Sequence, residues 1–248
     1  MTQLPNNLED AIAQSREATA SAIEDGLRRL QVELLFPEIQ LQAQLIAQQF
    51  LGEFEKLESG LKVLFPDTGA AALARRDWGK TIYKVTDLGS SRSPIENKIE
   101  AEDQLFLIIN PSSIEVAQVE KLSNLAQERP VILLIPRLED IATIGIGYAA
   151  RQQRERFLNT LESCYYIRPL EGAALFRCYP QPWQVWLESN GDYELIAQLA
   201  EKPVGDALDQ ILAKARGVDD PSQPQPTPKP PKKSFMADLQ SMWRALTR

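Results

Sequence analysis

The sequence predicts an α/β fold, a Rossmann-like three-layer sandwich on a mixed, mainly parallel sheet, and three observations carry that reading. Short apolar, branched runs alternate with longer helical patterns up to residue 161. Two of the runs, 104–109 and 131–135, lack polar alternation, as central parallel strands buried on both faces do. Beyond 161 the runs follow one another too closely for parallel crossovers, so antiparallel strands belong near the C-terminal edge.

Taken in order, residues 5–26 read as a helix. Asn6 or Asn7 can cap it, Glu9 stands where a capping box needs an acid, and Leu8, Ala11, Ile12, Ser15, Ala18 and Ala22 recur at helical spacing. Gly26 stops it. A strand at 30–36 and a helix at 37–57 open the βα rhythm. Strands follow at 61–65, 82–86, 104–109 and 131–135, with helices at 113–127 and 147–161. Ser112 and Glu115 have capping-box spacing at the start of the first of these helices. Right-handed crossovers then put helices on both sides of the sheet. Strands at 164–168, 174–179 and 184–188 run antiparallel, and helices at 192–200 and 203–216 close the domain, with Pro203 in a tolerated first-turn position. The α/β domain thus spans 1–217. Six of the seventeen prolines fall between 221 and 231, which makes 218–232 an extended linker. Residues 233–248 recover helical spacing and form an amphipathic helix.

Composition narrows the function. The 248 residues are 44% hydrophobic and 25% charged, ordinary for a globular chain, but include no histidine. That excludes Ser-His-Asp and Cys-His catalysis, histidine-ligated zinc or haem, and imidazole proton shuttling. Thirty-four acids against twenty-seven bases give a net charge of −7, which argues against a nucleic-acid partner. Two cysteines make no secreted disulfide framework, and the polar start 1–7 lacks the apolar core of a signal peptide, so a cytoplasmic location is expected. No run approaches the roughly 18–20 apolar residues that span a bilayer, which leaves peripheral contact as the membrane option.

Ligands of an open parallel sheet bind outside the carboxyl ends of its strands. Here the strands exit into Phe36-Pro37-Glu38, Phe65-Pro66-Asp67, Asp87, Asn110-Pro111-Ser112 and Pro136-Arg137. One reading is a polar rim of Glu38, Asp67, Asp87, Asn110 and Arg137, able to hold a metal or a phosphorylated ligand. The other is that proline ends each strand and its polar neighbours cap and solvate the turn, which accounts for every residue. No exit is glycine-rich enough to cradle a phosphate. No catalytic residue, metal site or cofactor is therefore expected.

Weaker signals remain. Gly145-Ile146-Gly147-Tyr148-Ala149-Ala150 fits Gly-x-Gly-x-x-Ala, yet about nine residues separate it from its strand, so it reads as a turn opening the helix that carries Arg151, Arg154 and Arg156. The loop 89–93 is a polar loop that could wrap an anion. Pairing Arg168 with Ala174 across a loop at 169–173 would set Cys164 directly opposite Cys178, as two small buried residues or as a labile disulfide. Tyr165, Tyr166, Phe176, Tyr179, Trp183 and Trp186 fit a half-buried pleated surface.

The tail is the sharpest functional signal. Phe235, Leu239, Met242, Trp243 and Leu246 share one helical face, accompanied by Lys232, Lys233, Arg244 and Arg248. Five bases and one acid in 229–248 make the tail about +4 and leave about −11 to the rest. Such a helix is marginal alone, so its apolar face needs its own domain, a partner groove or an anionic membrane surface, and the long tether favours the last two.

Several motifs together resemble one family. They are Leu4-Pro5 with the first amphipathic helix, Leu34-Leu35-Phe36-Pro37-Glu38, Asn110-Pro111, and Gly145-Ile146-Gly147 through Ala150-Arg151 to Arg156-Phe157-Leu158. Above all they include Ala174-Leu175-Phe176-Arg177-Cys178-Tyr179-Pro180 with Pro182-Trp183-Gln184-Val185. Over roughly residues 4–215 the chain resembles the domain of unknown function nineteen-ninety-five, a family of cyanobacteria and chloroplasts. Its chloroplast relatives include a low-photosystem-II-accumulation factor, and another relative is fused to an adenylate kinase. The resemblance implies a photosynthetic-membrane auxiliary protein and supplies no catalytic residues. The expectation is a non-enzymatic protein assisting photosystem II assembly or maintenance through contacts with thylakoid membrane proteins or assembly factors. It would be cytoplasmic with peripheral thylakoid contact through the tail. The alternative is an α/β enzyme or nucleotide- or small-ligand-binding protein using the carboxyl edge of the sheet.

Overall fold

The first helix begins where its cap dictates: the Asn7 side chain accepts a hydrogen bond from the Asp10 N–H at 2.8 Å, and α1 runs Leu8–Glu24. The structure, a computed structural model, describes residues 3–37, 39–89, 94–138, 148–189 and 191–217. After α1 come β1 (Arg29–Leu34), α2 (Ala43–Leu51), β2 (Leu61–Phe65), α3 (Thr68–Trp78) and β3 (Lys84–Asp87). Then follow β4 (Leu105–Ile109), α4 (Val116–Ala126), β5 (Val131–Leu134) and α5 (Tyr148–Arg156). The described chain ends with β6 (Glu162–Leu170), β7 (Ala173–Cys178), β8 (Trp183–Ser189), β9 (Asp192–Leu199) and α6 (Asp206–Ala215).

All nine strands join one sheet in the order β3-β2-β4-β5-β1-β6-β7-β8-β9. Pairing is parallel from β3 through β6 and antiparallel from β6 to β9, as the change of rhythm predicts. Without β1, the parallel part has the doubly wound order 2-1-3-4-5, with β1 slotted between its fourth and fifth strands. On one face α1, α2 and α3 pack on alternate residues such as Val32, Val63, Leu107 and Phe176. On the other, α4 covers Leu64, Phe106, Ile108 and Leu133, while α6 covers Tyr166, Leu175, Trp183 and Val185. Both layers expected of the crossovers are present.

Several elements differ from the sequence reading. The helix expected at 192–200 is the strand β9, although Leu195, Ile196 and Leu199 have helical spacing. Ser189 pairs with Asp192, which leaves a two-residue loop, and Gly191 has φ 95°, a value glycine takes without strain. The helix α3 was not read from sequence because its buried side is only Ala71 and Ala74. The helix expected at 37–57 is broken into 3-10 turns around α2. Ser112 and Glu115 do bond, but as a turn before a helix that starts at Val116. The helix expected at 203–216 begins at Asp206, and the one expected at 147–161 ends at Arg156 and continues as 3-10 turns. The linker 218–232, the amphipathic segment 233–248 and Gly145–Gly147 lie outside the described residues, as do 90–93 of the polar loop.

Candidate functional site at the carboxyl edge

The strand order creates two places where neighbouring exits diverge. β2 leads into α3 on one face, whereas adjacent β4 leads into α4 on the other. β1 leads to α2 on the first face, whereas adjacent β5 leads toward α5. Divergent exits open a crevice at each such point, and each holds a groove.

The groove between β1 and β5, about 380 Å³, is lined by Leu35, Phe36, Pro37, Pro136 and Arg137, with Pro169 of β6. The groove between β2 and β4, about 410 Å³, is lined by Leu41, Asp67, Leu73, Asn110, Glu115 and Arg137 among others. Arg137 borders both. Of the five rim residues read from sequence, Asp67, Asn110 and Arg137 therefore converge. Glu38 lies outside the described residues.

Asp87 does not join them. It is the last residue of β3 rather than a residue beyond it, and Lys98 Nζ stands 2.6 Å from its carboxylate while the Gly89 N–H donates at 2.8 Å. Burial pushes its carboxyl up, but Lys98 and the Gly89 N–H outweigh this and hold it below the usual carboxylate range. Asp87 is a satisfied structural acid.

The three converging residues are built differently. Asp67 caps α3, its Oδ1 accepting from the Ala70 N–H at 2.9 Å. Asn110 follows β4 with φ 48°, and its buried Oδ1 has no hydrogen-bond partner among the described residues. Its N–H donates to the Leu134 carbonyl at 2.7 Å. Ile135 follows the adjacent β5 with φ 55°. Each precedes a proline, so both strands end in the same kink: left-handed residue, proline, polar residue. The Arg137 N–H donates to the Pro111 carbonyl at 2.7 Å, and a parallel bridge joins Ser112 to Arg137. These contacts fix the backbone of Arg137 while its side chain stays exposed.

Around this polar centre lies apolar surface that the sequence reading missed. Leu41 is 77% exposed, Ile114 78%, Leu73 43% and Leu35 40%, values that make them surface rather than core. Leu35 lines the first groove, Leu41 and Leu73 the second, and Ile114 stands on the turn between Ser112 and Glu115, which also line the second. The available signal was an apolar residue off the buried stripe. In α2 that stripe is Ala43, Ile46, Ala47, Phe50 and Leu51, which leaves Leu41 just before the helix outside it.

The remaining candidates resolve elsewhere. Leu170 pairs with Ala173, so the β6–β7 loop has two residues instead of five, and Tyr165, not Cys164, stands opposite Cys178. Gly172 at φ 60° permits the tighter loop. Cys164 and Cys178 are both buried and are not joined in a disulfide. Cys164 Sγ lies 3.4 Å from Thr19 Oγ1, and burial pushes its thiol up to about 12. Arg156 grips Glu120 through two bonds of 2.6 and 3.0 Å, which ties α5 to α4. Tyr165 and Phe176 pack edge to face, as do Tyr166 and Trp183, so these four are core, with Tyr179 and Trp186 partly buried beside them. Among the described residues, no group of three acids or cysteines is placed to hold a metal ion, and no helix is long and apolar enough to cross a membrane.

No solved structure matches this chain. A family profile described as domain of unknown function DUF1995 matches residues 5–210, which takes in the whole sheet and ends within α6. The chain belongs to the DUF1995 family.

Proposed function

We propose that this protein is a non-enzymatic auxiliary factor of photosynthetic membranes, assisting photosystem II assembly or maintenance by holding an apolar protein segment against the carboxyl edge of its sheet. The observation that carries this reading is the apolar rim of Leu35, Leu41, Leu73 and Ile114 around two shallow, proline-lined grooves. Exposed aliphatic side chains gathered around grooves are what a protein partner buries. The photosynthetic setting rests on the resemblance to relatives in cyanobacteria and chloroplasts. The tail supplies a second, peripheral contact: Phe235, Leu239, Met242, Trp243 and Leu246 offer apolar surface, and Lys232, Lys233 and Arg244 attract anionic lipid or an acidic partner.

The test is capture from thylakoid membranes with the tagged full chain. Photosystem II core subunits are expected with the unsubstituted protein and reduced about tenfold or more by Leu41→Asp with Leu73→Asp, which adds charge at the centre of the contact. Equal capture by both proteins, or capture without core subunits, would remove the proposal.

A second reading has its own observation. Asp67, Asn110 and Arg137 share one groove at a switch point, and the Asn110 Oδ1, which has no hydrogen-bond partner among the described residues, offers an acceptor to a ligand's N–H or O–H. A small-ligand-binding protein or enzyme would use these groups. A thermal-shift screen with nucleotides, metals and tetrapyrroles tests it, and Arg137→Ala should abolish any shift found.

A further inference from the structure

The chain leaves the described domain at the edge that carries the grooves. β6 is parallel to β1, so its end at Leu170 lies on the carboxyl edge. Beside it the Arg216 guanidinium donates to the Glu171 carbonyl at 2.6 Å, pinning the end of α6 to the β6–β7 turn. The described chain therefore ends near the β6–β7 turn, on the carboxyl edge that also carries Pro169 and the first groove.

From this observation we infer that the segment 233–248 docks in cis across the carboxyl edge of its own domain, laying Phe235, Leu239, Met242, Trp243 and Leu246 over Leu35, Leu41, Leu73 and Ile114. Dimensions and charge both fit. From β6 across β1, β5 and β4 to β2 is four strand spacings, about 19 Å. A helix of residues 233–248 would be about 24 Å long. The linker 218–232, extended as its prolines favour, reaches about 45 Å, so it can place the helix anywhere along the edge. Asp67 and Glu115 line the second groove and can meet the cations of the tail. At the scale of the whole chain, a basic tail of about +4 faces a body of about −11.

The consequence is a latch. One apolar face cannot cover the edge and insert in a membrane at once, so a partner or lipid surface that takes the tail uncovers the grooves, and a partner in the grooves frees the tail. This inference needs the rim and the exit point, not the identity of any partner.

Paramagnetic relaxation on the full chain tests it. A nitroxide is attached at Gln240→Cys, while the buried Cys164 and Cys178 are shielded from the reagent. Loss of the amide signals of Leu35, Leu41, Leu73 and Ile114 is expected, independent of protein concentration and reversed when the nitroxide is reduced. Leu41→Asp with Leu73→Asp should restore the signals, and so should Trp243→Asp, which leaves the domain untouched. Intact edge signals, losses confined to another surface, or losses unaffected by these substitutions would overturn the inference. So would losses that appear only between isotope-labelled and nitroxide-labelled molecules in a mixture, because they would assign the tail to a second copy.

Discussion

Asn110 and Ile135 hold left-handed backbone immediately before prolines, where the ring also crowds the preceding residue. Such conformations cost about 1–3 kcal/mol each. At Ile135 the surroundings offset the cost: its side chain is buried in the core, and its N–H donates to the Val32 carbonyl at 2.8 Å. Asn110 has less in return, because its buried Oδ1 lacks a hydrogen-bond partner among the described residues. Asn110→Gly should raise stability by about 1 kcal/mol, relieving the left-handed φ and removing the orphaned oxygen. Asn110→Ala, which keeps the strain, should fall below the glycine variant. Urea titration of the two variants and the parent checks the order, and equal midpoints would mean that the kink costs nothing.

At the scale of elements, the β2–β3 border is held by charge where most of the sheet is held by packing. Among the described residues between β3 and β4 there is no α-helix, only the turn Ile95–Lys98, and the far face of β2 meets an ionic cluster there. Lys62 is 3% exposed and lies 2.7 Å from the carboxylate of Asp103, itself 2% exposed, and it also donates to the Lys98 carbonyl. Lys84 of β3 binds Glu100 and Glu102 alongside. Removing one partner of a buried pair strands the other charge, so Asp103→Ala should cost about 3–5 kcal/mol. Replacing both, by Lys62→Met with Asp103→Leu, should come back close to the parent, as chemical denaturation of the single and double variants would show. The sequence carries the strands of this border but not its chemistry. An apolar run marks β2, whereas nothing local links Lys62 to an acid forty-one residues later. β4 and β5 were legible because strands buried on both faces have a distinctive unbroken apolar run. α3 was not, since two buried alanines leave almost no amphipathic signal, and β9 was not, since its half-buried residues show no clean alternation.

For the whole molecule, legibility stops at strand order. The exit residues Asp67, Asn110 and Arg137 stand out in the sequence, but their convergence depends on β2, β4 and β5 being neighbours, a fact held in tertiary contacts alone. The same sheet poses a question of cooperativity, since a parallel half under α4 and an antiparallel half under α6 have separate apolar clusters on one face. The opposite face joins them. α1 packs on β1, β6 and β7, and its cluster runs from Val63 and Leu107 to Ile167 and Phe176 without a break. A shared core on one side should make the halves unfold together, even though the other side is divided. Ile108→Ala in the parallel half and Leu212→Ala in α6 each remove buried apolar volume and should each cost about 2–5 kcal/mol. In urea, both should shift the midpoint of a single transition without changing its slope. Two separable transitions in the Leu212→Ala protein, one for each half, would show that α1 does not bind the halves into one unit.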